Sequence, residues 1–184
     1  MKDKKSYNEW YSELIIREVS MLETTVPLNI MSTATHERCE NMPSLNHSYI
    51  CLQIMRQLLL NEEIEPLPEL TLDIANGLTP DISVFPKSKI QPNLFHDVPR
   101  FQEKPILAIE VVSSSQTIQE MLQKATHLVN EGVNAVWTVE PYTRTVFITT
   151  RQAENLFHEN LVETEGIQVD FSKVFLTWTS KRSI

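Results

Sequence analysis

The spacing of apolar positions switches along this chain between a helical and a strand period, and each switch predicts an element. Tyr7, Trp10, Tyr11, Leu14, Ile15, Glu18 and Leu22 fall at spacings that suit a helix over residues 5–22 with one largely apolar stripe. Pro27 closes that segment and a short extended run follows at residues 28–31. Ser44 is a good N-cap for a second helix reaching to about residue 60, with Leu45, Ile50, Ile54, Met55, Leu58 and Leu59 as its buried stripe. Residues 62–68, acidic and carrying two prolines, read as a loop, whereas residues 69–74 alternate as a strand ahead of the Asn76-Gly77 turn signal.

The middle of the chain is more apolar. Residues 81–85 predict a strand stopped by Pro86, and residues 87–104, rich in Lys, Pro, Asn and Gln and without a period, predict a long loop near the site. Residues 106–112 are apolar on both faces, the pattern of a strand inside a sheet that is covered on two sides. Ile118, Met121, Leu122, Ala125, Leu128 and Val129 then recur at helical spacing, with Ser113, Ser114 and Ser115 as N-cap candidates and Gly132 as the C-cap. Lys124 lies on the edge of that stripe, where a long side chain runs along apolar surface and delivers its ammonium to the sheet edge. Residues 135–139, with Trp137 in the core, predict a strand parallel to 106–112 through a right-handed crossover. Residues 141–144 turn into a strand at 145–148, and the remainder reads as shorter strands with an apolar end at 174–178. The order is helix, three strands, helix, strand, which several α/β folds share.

Length and composition narrow the class. At 184 residues the chain is one domain with an appendage, divided into an N-terminal helix and extended segment over residues 1–34 and a core over residues 35–184. Hydrophobic residues at 41% and charged ones at 22% suit a globular protein, no apolar run approaches the roughly 20 residues that span a bilayer, and a cytoplasmic location is expected. Cys39 and Cys51 lack a CxxC or other ligand spacing, which argues against a disulfide framework or a structural zinc site. A net charge of −8 argues against a broad basic surface for nucleic acid. It does not exclude a nuclease, because a divalent cation held by carboxylates supplies positive charge where a phosphate docks.

Glu110 is the residue that asks for chemistry. It sits within the doubly apolar strand, and burying it ionised and alone would cost several kcal/mol or more, so it is neutralised, paired or bound to a metal. Asp81 opens a neighbouring strand, and adjacent strands lie about 4.8 Å apart. Two carboxylates at that separation can share one hard cation such as Mg²⁺. Each residue has a plainer reading as well: an ion pair between Glu110 and Lys124, a turn cap for Asp81, a solvated helix-face lysine for Lys124, a surface carboxylate for Glu37, and capping or packing rather than general-base duty for His47. Ser113 and Gln123 read as a cap and a helix-surface amide.

In Met42-Pro43-Ser44-Leu45-Asn46-His47, Thr79-Pro80-Asp81-Ile82-Ser83-Val84, Ile109-Glu110-Val111-Val112-Ser113-Ser114-Ser115, Lys124 and Gly132-Val133-Asn134-Ala135-Val136-Trp137-Thr138-Val139-Glu140-Pro141, the chain resembles the Uma-type restriction endonuclease family of the PD-(D/E)XK nuclease superfamily. The resemblance runs from about Glu37-Arg38 to Pro141. It implies an α/β restriction-endonuclease-like fold, an αβββαβ core whose mixed sheet is flanked by helices, with an N-terminal helix and appended C-terminal strands. It implies Mg²⁺ or Mn²⁺ held by Asp81 and Glu110, a nucleic-acid substrate with DNA favoured, and hydrolysis of a phosphodiester by an activated water. The superfamily's usual lysine position is Val112 here, and Lys124 stands where Uma-type relatives carry a lysine on the following helix. Its implied task is to position or deprotonate the attacking water and to offset charge on the phosphate. Glu37 matches an acidic residue that would approach the metal through water. Relatives tend to carry a tyrosine shortly after the helix lysine, whereas this chain has His127-Leu128. The rival expectation is a non-catalytic descendant acting as a binding or assembly module, with a homodimer through the N-terminal helix as a candidate assembly. A third is metal-dependent hydrolysis of another phosphate ester.

Overall fold

The computed structural model describes residues 43–158 and 160–175. The expected N-terminal helix, the extended run at 28–31, Glu37, Cys39 and the boundary at residue 34 lie outside the described residues. The elements are α1 (Leu45–Leu58), β1 (Ile64–Pro68), β2 (Ile82–Pro86), a single 3₁₀ turn at Lys87–Lys89, β3 (Leu107–Val111), α2 (Ile118–Asn130), β4 (Ala135–Glu140), β5 (Thr145–Thr150), β6 (Glu154–His158), β7 (Leu161–Thr164), β8 (Ile167–Asp170) and the short helix α3 (Phe171–Phe175).

Six strands form one mixed sheet in the order β1-β2-β3-β4-β5-β6, in which only β3 and β4 run parallel, joined by α2. A separate hairpin pairs β7 with β8. One face of the sheet, through Ile82, Leu107, Ile109 and Trp137, packs with Ile54 and Leu58 of α1 and with Phe171 and Phe175. Trp137 stacks edge-on against Phe171 with ring centroids 5.9 Å apart, and its indole N–H donates to Thr164 Oγ1 at 3.1 Å. The other face, through Phe85, Ala108 and Val136, packs with Ala125, Leu128 and Val129 of α2 and with Leu72 and Ile74 of the preceding loop. All five residues of β3 are buried, as expected for a strand apolar on both sides.

α2 is fixed at both ends. Its N-cap is Thr117 rather than one of the three serines, and Thr117 and Glu120 satisfy each other's backbone N–H groups in a capping box. At its other end Gly132, with φ +110°, lets Val133 N–H reach Leu128 C=O while Gly132 N–H reaches Val129 C=O.

Three further expectations are corrected. Residues 62–68 are not a loop, for β1 lies at the sheet edge, where a strand tolerates Pro66 and Pro68 because one side of it needs no donor. Residues 69–74 are not a strand: Glu69, Ala75 and Asn76 take positive φ, and Leu72 makes only isolated bridges to Leu78 and Phe101 while Leu72 and Ile74 plug the α2 face. Leu45 and Leu59 belong to no buried stripe, since α1 is covered along Ile50, Ile54 and Leu58 and its two ends protrude. The three-strand count ahead of α2 therefore holds with a different first strand. Of the apolar end expected at 174–178, Val174 and Phe175 belong to the helix α3, and residues 176–178 lie outside the described residues.

Candidate active site at the β2–β3 strand ends

Asp81 is the residue just before β2, and β2 pairs with β3 so that Ile82 faces Ile109. That register brings Asp81 to the Glu110 end of β3. Its Oδ2 accepts the Val111 N–H at 2.7 Å, so a side chain takes the bond that the strand backbone would otherwise make. The same oxygen lies 3.1 Å from His47 Nε2. His47 is held there by its own helix start, because Ser44 caps α1 by accepting the His47 backbone N–H at 3.2 Å. The hydrogen bond to Asp81 raises the pKa of His47 against the opposing effect of burial. One turn along α1, Cys51 Sγ lies 4.0 Å from His47 Nδ1, and burial, reinforced by Asp81, Glu110 and Glu69, pushes the thiol up to about 12.

Glu110 presents to the α2 face of the sheet and is 1% exposed. Lys124 reaches it from the second turn of α2, with Nζ 2.7 Å from Oε1, and also donates to Thr79 C=O at 3.3 Å. Burial pushes the Glu110 carboxyl up to about 7; Lys124 acts against this and Asp81 adds to it. Position 112, on the same side as Glu110, is a buried valine whose N–H donates to Val139 C=O. The ammonium thus comes from the helix and the strand stays apolar.

A hard divalent cation fits these residues. Asp81 and Glu110 supply carboxylate oxygens where the start of β2 meets the end of β3, Asp81 helps raise the Glu110 pKa, and added positive charge there would offset the burial cost of Glu110. Thr138, in register with Glu110 across β3 and β4, has a buried hydroxyl with no hydrogen-bond partner among the described residues. Of the residues singled out by sequence, Asp81, Glu110 and Lys124 come together, Ser113 bonds to Gln116 ahead of α2, Gln123 lies within α2, and Glu37 lies outside the described residues. Cys51 was missed. With His47 and Asp81 it forms a group whose metal-ligating atoms all lie within 4.8 Å of one another. The available signal was its spacing of four from His47, one helical turn.

A family model, Uma2, described as "Putative restriction endonuclease", matches residues 36–180. The chain belongs to the Uma2 family. Its membership supports a nuclease-like function at the coarse level. Among solved structures, this Uma2 chain is similar to one titled as a putative nuclease belonging to DUF820 from Anabaena variabilis, with a TM-score of 0.62 and 23% identity over 73% of this chain and 83% of that one. That likeness shows the fold, which is restriction-endonuclease-like. A cryo-EM structure titled as a DrdV-DNA complex aligns over 72% of this chain and 11% of its own, at 11% identity and a TM-score of 0.41, too distant to carry an argument. No curated protein matches the Uma2 chain. No helix among its described residues is long and apolar enough to cross a membrane.

Proposed function

We propose that this Uma2 protein is a divalent-metal-dependent nuclease that hydrolyses phosphodiester bonds, with DNA the favoured substrate. The observation that carries this reading is the 2.7 Å approach of Lys124 Nζ to the buried Glu110 carboxylate, beside Asp81 at the entry to the neighbouring strand. Asp81 and Glu110 would hold Mg²⁺ or Mn²⁺, which when bound supplies Lewis acidity toward a phosphoryl oxygen and lowers the pKa of a water.

The protein's own groups have separate tasks. The Val111 N–H and His47 both engage Oδ2 of Asp81, which fixes the carboxylate plane and leaves its second oxygen for binding. Glu110, held out of water, keeps the site negative enough to attract a cation once it ionises. Lys124 is partly exposed, so its ammonium can orient a water toward the phosphorus and offset charge gathering on the phosphate oxygens. Glu37 is retained in the proposal as a water-mediated contributor on the strength of the resemblance.

A second reading has its own support. Glu110 and Lys124 satisfy each other without a metal, as they would in a descendant that kept the fold as a binding or dimeric assembly module. The test is cleavage of plasmid, single-stranded DNA and RNA by the purified protein in Mg²⁺ or Mn²⁺, with Glu110→Gln run in parallel. Cleavage by the parent and none by the variant supports the nuclease and identifies its substrate. Absence of cleavage on all three overturns the nuclease in favour of the module.

A further inference from the structure

His47 and Cys51 stand one turn apart on the same side of α1, and both turn toward Asp81. Neither ring nitrogen of His47 faces open solvent: Nδ1 meets the Cys51 sulfur at 4.0 Å and Nε2 meets Asp81 Oδ2 at 3.1 Å. Sulfur, imidazole nitrogen and carboxylate oxygen within 4.8 Å of one another are a mixed donor set. Mg²⁺ and Mn²⁺ prefer oxygen, whereas Zn²⁺ binds thiolate and imidazole well. A tetrahedral zinc ion with bonds of about 2.0–2.3 Å sets its ligands roughly 3.5 Å apart. The three side chains therefore need to close in by about 1 Å, within reach of rotamer adjustment on a helix and a strand end.

We propose that His47, Cys51 and Asp81 form a second cation site, selective for Zn²⁺ and similar thiophilic ions, that overlaps the hard-cation site at Asp81. One ring nitrogen of His47, Cys51 Sγ and an Asp81 oxygen bind the ion, and the thiol proton leaves to solvent as the sulfur–metal bond forms. A fourth position stays open. Asp81, Glu110 and Glu69 all impose a negative field on Cys51, which attracts a cation to it. Because both sites use Asp81, a thiophilic ion excludes the hard one. Zinc thereby inhibits the metal-dependent cleavage, a consequence that rests on the nuclease reading, whereas the binding itself does not.

The test uses Co²⁺ as a spectroscopic stand-in for zinc. The parent protein is expected to bind one equivalent with tetrahedral visible bands and a near-ultraviolet sulfur-to-cobalt band, both bleached by Zn²⁺. Cys51→Ser and Cys51→Ala lose the sulfur band, while Cys39→Ser keeps it. In cleavage assays with Mg²⁺, the parent is inhibited by Zn²⁺, and Cys51→Ser is inhibited at least tenfold less, each measured against its own zinc-free rate. A missing sulfur band, a band lost in Cys39→Ser instead, or equal Co²⁺ spectra in parent and Cys51→Ser would overturn the proposal. If the sulfur band behaves as expected but no nucleic acid is cleaved, the site stands and the nuclease reading falls.

Discussion

Asp81, just before β2, and Glu110, near the end of β3, are carboxylates at neighbouring strand ends, yet the protein treats them differently. Glu110 is buried at 1% exposure, and its counter-charge arrives as a lysine from α2. Asp81, whose side chain keeps 22% exposure, is held by a backbone N–H and an imidazole from the other side of the sheet. Like residues thus take unlike duties: Asp81 is oriented by hydrogen bonds, and Glu110 is tuned by dryness and one neighbouring charge.

The largest expected effect comes from removing that counter-charge. Lys124→Met should lower cleavage at least about 100-fold. It should also cost about 3 kcal/mol of stability at pH 8, and much less at pH 5 where Glu110 holds a proton, because a buried carboxylate left alone is strongly unfavourable. Equal losses at both values in urea denaturation would mean that Lys124 acts by packing alone.

The dry carboxylate should also govern the pH dependence of the metal-free protein. Glu110 ionises near its ordinary value of 4.5 when unfolded and about 7 when folded, so between these values the folded state retains a proton that the unfolded chain has released. Stability therefore falls as pH rises through this window, by up to about 3 kcal/mol, and is level above it. The raised His47 contributes with the same sign: its share is present below the ordinary 6.5 and lost as pH rises through the folded value. Glu110→Gln should flatten most of the slope in denaturation curves collected from pH 4.5 to 8, and Mg²⁺ should reduce the slope in the parent.

On the hydrogen-bonded side the effects should be smaller. His47→Gln is expected to weaken Mg²⁺ affinity about tenfold in calorimetry with the fold intact, since it disturbs the orientation of Asp81 without removing a charge from the dry side. Smaller again, Thr117→Ala should cost about 1 kcal/mol by unmaking the N-terminal cap of α2. A drop in cleavage beyond that expected from stability would show that the cap also sets the reach of Lys124.

What was legible in the sequence was whatever one element's pattern determines. The doubly apolar run of β3, the Ser44 cap and the placement of Lys124 at the margin of its stripe are local facts, and the Glu110–Lys124 contact follows from them once α2 is a crossover. β1 was hidden because Pro66 and Pro68 are strong signals against a strand whose edge position the sequence does not announce. The alternation at residues 69–74 reflected two side chains, Leu72 and Ile74, that fill the core from a loop. The neighbourhood of Cys51 depends on how closely α1 approaches the start of β2, a tertiary distance that no spacing records.

The position of Lys124 on α2 also bears on how the chain can fold. β3 and β4 are parallel, so they cannot pair until the segment between them has crossed back over the sheet, and that segment is α2. The motion that covers Glu110 is therefore the motion that brings its ammonium. A lysine on the strand itself would be at hand from the start; one on the crossover is delivered by the same docking of α2 that takes the carboxylate out of water.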